Sequence, residues 1–233
     1  MSVQLGTTSI IFNDATTQST ASGTPPGTGQ CINSYTSPAT WTKPATCKGV
    51  KVTVIGAGGN SQTAPYAGNQ VRCTGGGGGA GASVGWFPGP NIPGPIAVTV
   101  GEAGSQGPSS FGSLISATGG GTGGGAVDSN ISPSPGGSGG SASGGQFNFT
   151  GNAGGASSQS NGGGGYMRLF ANADNYSSLF AGPTVRSNQG IFPGTANPYY
   201  GGGASGAAQV NQGGPAASGA NGGPGWVLVE EFY

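Results

Sequence analysis

Val50-Lys51-Val52-Thr53-Val54-Ile55-Gly56-Ala57-Gly58-Gly59 is a short strand that runs straight into glycine. Alternation puts Val50, Val52 and Val54 on one face and Lys51, Thr53 and Ile55 on the other, so one face is expected to be core. The end of the chain mirrors it: Gly222-Gly223-Pro224-Gly225-Trp226-Val227-Leu228-Val229-Glu230-Glu231-Phe232, where glycine runs back into a strand. Most of the 54 glycines in the 233 residues lie between these two stretches. Three further runs read as strands: 82–87 before Pro88, 95–100 before Gly101, and 111–117 before Gly119. Trp41, ahead of Lys43-Pro44, reads as the approach to the 50–55 strand. The strands are expected to form one small sheet at one end of the molecule. The interior is expected to be a stack of extended polyglycine II-type helices joined by variable loops. The fold class is therefore mostly irregular and β, with little or no α-helix.

Glycine and proline together make up about 30% of the chain, a level usual in low-complexity sequence. Two features oppose plain disorder. Unfolded chains stay soluble through high net charge, whereas this one carries six basic and six acidic residues. Bulky side chains also recur among the glycines, among them Trp86, Phe87, Phe111, Phe170, Phe180, Phe192 and Trp226. An uncharged chain exposing them would aggregate. Collagen is excluded because its glycine must fall at every third position, and here it comes in blocks such as 75–79. Composition alone leaves open a set of flexible linkers.

The later blocks lie near 119–125, 136–145, 151–155, 162–165, 201–206 and 213–225. An extended helix with three residues per turn would turn one ridge in three toward its most crowded neighbour. Gly136, Gly139, Ala142, Gly145, Gly151 and Gly154 share one such register, broken at Asn148. Gly213, Ala216, Gly219, Gly222 and Gly225 share another. The block 119–125, with glycine on all ridges but one, is expected to be an interior segment. Ordering glycine costs roughly 0.5–1 kcal/mol more than ordering alanine, and this kind of helix has no internal hydrogen bonds. Its amides must bond to neighbouring segments or go unpaired, so the stack should be cooperative.

Several function classes are disfavoured. Lys43, Lys48, Lys51, Arg72, Arg168 and Arg186 are scattered, giving no basic stripe for nucleic acid. No apolar run reaches the length of a membrane helix, and the N-terminus lacks a signal-peptide pattern, so no membrane insertion is expected. Cys31, Cys47 and Cys73 make no disulfide framework and no paired metal motif. Three free or buried thiols are expected, with a Cys31–Cys47 bridge as the alternative. Gly56-Ala57-Gly58 after a strand imitates a dinucleotide-binding turn. However, Ser61 holds the third glycine position, no amphipathic helix follows, and no acid occurs between Gly56 and Gly101. No cofactor and no metal are expected. Histidine is absent, and the acids are Asp14, Glu102, Asp128, Asp174, Glu230 and Glu231. Only Asp128 and Asp174 would be available as a glycosidase pair, and nothing in the sequence brings them together. An enzyme is not expected.

Residues 1–30 differ in composition from the rest and end in the linker 22–29, Ser-Gly-Thr-Pro-Pro-Gly-Thr-Gly. The apolar runs Val3-Gln4-Leu5 and Ser9-Ile10-Ile11-Phe12 are too short to bury themselves, so this segment should pack in an oligomer or on a partner. The remainder, 31–233, reads as one glycine-rich domain. The stretch Ser9-Ile10-Ile11-Phe12-Asn13-Asp14-Ala15-Thr16-Thr17-Gln18-Ser19-Thr20-Ala21 resembles a sequence common in bacteriophage tail-fibre proteins, with Ala15 where glycine is usual.

A longer resemblance rests on the order of several motifs. These are Trp41 with the 50–59 stretch, Gly75-Gly76-Gly77-Gly78-Gly79-Ala80-Gly81-Ala82-Ser83-Val84-Gly85, Ala97-Val98-Thr99-Val100-Gly101-Glu102-Ala103-Gly104, the 109–120 stretch and the terminal 222–230 stretch. Over about residues 41–233 it resembles the glycine-rich domain of tail-fibre tip proteins, the polyglycine-helix adhesins of T-even-type phages. That resemblance implies layered polyglycine helices whose variable distal loops contact a host cell-surface glycan or outer-surface protein. It also implies location in the virion and attachment to other tail proteins through residues 1–30. The fibre-like N-terminal segment implies a fibre subunit, a homo-oligomer with a trimer favoured, and not a separate monomeric cap.

The candidate loops are 60–73, 126–135, 146–150, 166–198 and 207–212. On them Tyr66, Arg72, Phe147, Phe149, Tyr166, Arg168, Tyr176, Arg186, Tyr199 and Tyr200 are the candidate receptor contacts, since aromatic and arginine side chains on rigid loops suit binding hot spots. Phe170, Phe180 and Phe192 are equally suited to core. The alternative functions are a virion decoration or fibre-shaft protein with no receptor of its own, and an ice-binding stack. The aromatic-rich 166–200 region argues against the flat face that ice binding needs.

Overall fold

The structure, a computed structural model, describes residues 29–65, 71–126, 133–158, 190–210 and 215–233. It also gives the backbone pairing of the short strands Gln4–Leu5, Ile10–Ile11, Thr17–Gln18, Met167–Leu169 and Val185–Ser187. Among the described residues there is no α-helix, and one 3-10 turn, Gly89–Asn91, follows a strand.

The strand framework is two sheets, where the sequence suggested one. The first has five antiparallel strands in the order Phe147–Phe149, Ala82–Pro88, Gly49–Ile55, Trp226–Phe232, Gln30–Tyr35. The second orders Ala142–Ser143, Ile115–Ala117, Ser109–Phe111, Ile96–Thr99, Ala39–Trp41. The 49–55 strand is paired on both sides by 82–88 and 226–232. The strands from 96 to 117 pair with one another in hairpin order, and therefore form their own layer.

The expected core face is observed: Val50, Val52 and Val54 are fully buried, together with Val227 and Val229 from the neighbouring strand. They pack against Trp41, Val98, Phe111 and Ile115 of the second sheet in one cluster, with the Trp41 and Phe111 rings 5.3 Å apart. All three thiols are free, Cys31 exposed and Cys47 and Cys73 buried.

Beyond the strand ends the chain continues as extended glycine segments outside any sheet. Gly56–Gly59, the stretch that imitates a dinucleotide turn, is one of them. Residues 75–81 form the centre, and their amides rotate through three partners. Gly75, Gly78 and Gly81 donate to Gly124, Gly121 and Thr118 at 3.0, 2.9 and 3.0 Å. Gly76 and Gly79 donate to Gly155 and Asn152 at 3.0 and 2.8 Å, and Gly77 and Ala80 to Ala204 and Gly201 at 2.9 and 2.8 Å. In return Gly59 donates to Gly78, and Gly137 and Gly140 donate to Gly76 and Gly79, at 2.8, 2.8 and 2.9 Å. A partner that recurs every third residue is the signature of three residues per turn. The lateral bonding demanded by the composition is thus the observed bonding.

Burial around this centre follows the same period. Pro135, Ser138 and Ser141 are exposed, while Ser134, Gly137 and Gly140 are buried. The register of Gly136, Gly139, Gly151 and Gly154 is crowded as expected: a Cβ would lie 1.6, 1.8, 2.1 and 2.1 Å from a backbone carbonyl oxygen. Two expectations need correction. The interior segment is 75–79, buried throughout, and not 119–125, whose Thr122 faces solvent. In the last register Ala216 is exposed, and it is Ala217 that is buried and bridged to Ala64. The block 162–165 and Gly213 lie outside the described residues.

Candidate functional site

The chain's course gives the stack two unlike ends. At one end lies the sandwich, and there the chain comes in from its N-terminal segment: Gln30 pairs with Phe232, and the Gly29 carbonyl accepts from the Tyr233 amide. At the other end the described residues on either side of 66–70, 127–132, 159–189 and 211–214 come together. The short strands Val71–Cys73, Ala208–Val210 and Gly190–Phe192 form one sheet there. Ala64 pairs with Ala217, Ser134 Oγ donates to the Gly125 carbonyl at 2.7 Å, and the Ser157 amide donates to the Ser134 carbonyl at 2.9 Å.

The candidate contacts divide between these ends. Arg72 lies in the sheet at the loop end. Arg168 and Arg186 stand directly opposite each other on strands 167–169 and 185–187, which extend from Ser157–Ser158. Tyr66, Tyr166 and Tyr176 lie outside the described residues, as do Asp128 and Asp174. Three loops are shorter than expected. Residues 190–198 belong to the sheet and the stack (the Gly194 and Asn197 amides donate to Ser218 and Asn221), Ala207–Gln209 are buried, and Asn60–Ala64 run within the stack. Within the 146–150 loop, Phe147–Phe149 is a strand paired with Val84, Ser83 and Ala82, and the exposed Asn148 accepts from the buried Ser83 hydroxyl at 2.6 Å.

Phe147 and Phe149 are 63% and 57% exposed on the outer face of the first sheet, and Trp86 is 51% exposed. Gln146 anchors this edge by accepting from the Trp86 amide at 2.6 Å and donating to the Trp86 carbonyl at 3.2 Å. At the stack side of the same face Tyr200 stacks on Trp226, ring centres 5.6 Å apart, beside the 62%-exposed Tyr199. At the opposite side Trp86 stacks on Phe232 at 4.7 Å. Lys51 and Glu230 neutralise each other between them at 2.7 Å. The outer face of the second sheet instead carries Thr40, Thr99, Ser110, Ser116 and Ser143. The outer face of the first sheet thus carries aromatic side chains on both sides of an ion pair, and that of the second sheet small polar ones.

A family profile described as "Glycine-rich domain" matches residues 32–230. The chain belongs to that family. No curated protein matches the chain. The glycine-rich domain so delimited takes in both the sandwich and the stack. It leaves residues 1–31 outside.

At the sandwich end of the glycine-rich domain lies a buried carboxylate that the motif search did not single out. Glu231 is 3% exposed; its Oε1 accepts from Trp41 Nε1 at 2.6 Å and Asn33 Nδ2 at 2.8 Å, and its Oε2 from the Tyr233 hydroxyl at 2.5 Å. Period two could have revealed it: adjacent glutamates in a strand cannot both face water, and position 231 shares the face of Val227 and Val229.

The hydrogen bond to Glu231, with burial and the carboxylate's charge adding to it, pushes the Tyr233 hydroxyl up to about 12. Burial first, and then the same carboxylate, raises Tyr35. A folded value above the unfolded one stabilises the fold fully below the unfolded pKa of about 10 and loses that contribution as pH rises through the folded value. Stability measured by urea unfolding is therefore expected to fall between about pH 10 and pH 12, and to fall less in Tyr233→Phe. An identical decline in that variant would exclude the tyrosine as its source.

Proposed function

We propose that this protein is a bacteriophage tail-fibre receptor-binding protein whose connecting loops bind a host cell-surface glycan or outer-surface protein. The observation that supports the reading is the polarity of the domain. The N-terminal segment joins at the sandwich end, and the long connections leave the stack at the other. A rigid stack between the two would hold the loops away from the virion, the arrangement an adhesin requires. In this reading Tyr66, Arg72, Tyr166, Arg168, Tyr176 and Arg186 contribute to the receptor surface. Phe147, Phe149, Tyr199 and Tyr200 lie toward the fibre, and residues 1–30 join other tail proteins in a trimeric fibre.

The test is an exchange of residues 166–189 for an unrelated loop of equal length, stopping short of 190–198 because those residues are held in the stack. Cell-binding assays should show a changed or abolished host range, while circular dichroism and urea unfolding stay close to those of the parent. An unchanged host range would remove the loop from receptor recognition. A parent protein that binds no cells would leave the structural decoration or shaft role as the better reading.

A further inference from the structure

On the outer face of the first sheet, Lys48, Gly49, Trp86, Phe87, Pro88 and Phe232 line a trough of about 290 Å³. The trough lies at Gly49, which sits between Pro88 and Phe232 in the sheet and has no side chain, beside the Trp86 and Phe232 rings, which stack on each other at 4.7 Å. Aromatic-walled grooves of this kind recognise the preformed, low-entropy helix of proline-rich segments.

We propose that Pro25-Pro26 of the chain's own linker docks in this trough, fixing the N-terminal segment to the sandwich. Three observations carry the assignment. The chain comes in at the trough's end of the sheet, where Gln30 is the register partner of Phe232 and Gly29 touches Tyr233. The distances agree. Gln30 and Trp86 stand on strands three spacings apart in the sheet order, which is about 14 Å at ~4.8 Å each. Pro25 and Pro26 are four to five residues upstream of Gln30, or about 12–16 Å at ~3.1 Å per residue in a polyproline helix. The chemistry agrees too: the linker Ser-Gly-Thr-Pro-Pro-Gly-Thr-Gly has no charged side chain, and the trough walls are apolar apart from Lys48. The assignment is independent of any receptor.

The full chain labelled with 5-fluorotryptophan gives one fluorine resonance each for Trp41, Trp86 and Trp226, assigned by single Trp→Phe changes. In the double variant Pro25→Ala, Pro26→Ala the Trp86 resonance is expected to move, while Trp41 in the core and Trp226 at the stack end stay put. Unmoved Trp41 shows that the variant has folded. An unmoved Trp86 resonance overturns the proposal. A nitroxide placed by Thr24→Cys in a Cys31→Ser background should selectively broaden Trp86 in the same molecule. Broadening seen only when spin-labelled, unfluorinated chains are mixed with fluorinated, unlabelled ones would assign the docking to a second copy and overturn the intramolecular form.

Discussion

Gly78→Ala is expected to destabilise the native stack severely, whereas the same change one residue later, Gly79→Ala, is expected to raise stability. At Gly78 a Cβ would stand 2.0 Å from the carbonyl oxygen of Ser138 and 2.6 Å from its carbon. Those atoms are backbone and cannot swing aside, and the same carbonyl accepts from the Gly121 amide at 2.7 Å. Relief would have to part the 75–81, 118–124 and 134–141 segments at once. Overpacking a compliant core typically costs 1–3 kcal/mol. Here the obstruction is three backbones held by lateral bonds, so a loss beyond about 3 kcal/mol is expected. At Gly79 the nearest atoms are Asn152 N and O at 3.5 and 3.6 Å, an ordinary contact. Alanine there reduces the freedom of the unfolded chain without strain, a gain of about 0.4–1 kcal/mol. Urea midpoints for the two variants decide it. If the two substitutions have equal effects, the central segment does not have the threefold environment described.

The opposed outcomes follow from what glycine does in this fold. Elsewhere its value is conformational freedom, needed here at Gly201, where φ is +70° and a Cβ would press on Ile55. Within the stack its value is an absent atom. Neighbouring carbonyls occupy the space where Cβ atoms would be, which lets each amide reach across to the adjoining segment. Thr122 and Ser138 stand on ridges that face outward, and the side chains admitted inside are small ones such as those of Ser134, Ala204 and Ser205.

How much of this could be read from the sequence depended on whether side chains were there to carry the pattern. The valines of 50–54 declared their face, and the three-residue period declared the winding of 136–154. Which segment lies innermost was misjudged between two glycine blocks, although the unbroken run 75–79 has no side chain on any ridge and 119–125 has Thr122. The division into two sheets depends on long-range pairing of 49–55 with 226–232, which no local pattern encodes. Phe-Asn-Phe at 147–149 reads as an aromatic loop because it is an edge strand exposed along its whole length, with no buried face to show an alternation. Arg168 and Arg186 are register partners through a strand pairing that nothing in their local sequence announces.

Glu231→Ala is expected to be the most damaging single change in the sandwich outside its apolar core. Trp41 is 2% exposed, and its indole N–H has Glu231 Oε1 as its acceptor. Truncation leaves that donor buried and unpaired, removes the acceptor of Asn33, and releases the Tyr233 hydroxyl. Hydrogen bonds to charged groups contribute about 1.5–3 kcal/mol each, and an orphaned buried donor costs about 1–3 kcal/mol. Because the three bonds share one carboxylate they do not add, and a total of about 3 kcal/mol or more is expected. Glu231→Gln keeps a carbonyl oxygen for Trp41 and Asn33 and presents its amide to the Tyr233 oxygen, so about 1 kcal/mol should be lost. The source can be isolated with Trp41→Phe, which removes the donor while keeping an aromatic ring beside Phe111. In that background Glu231→Ala should cost less by about 1 kcal/mol or more. Urea unfolding of the four proteins of this cycle measures the coupling. Purely additive losses would mean that Glu231 stabilises the sandwich by some route other than satisfying the buried indole.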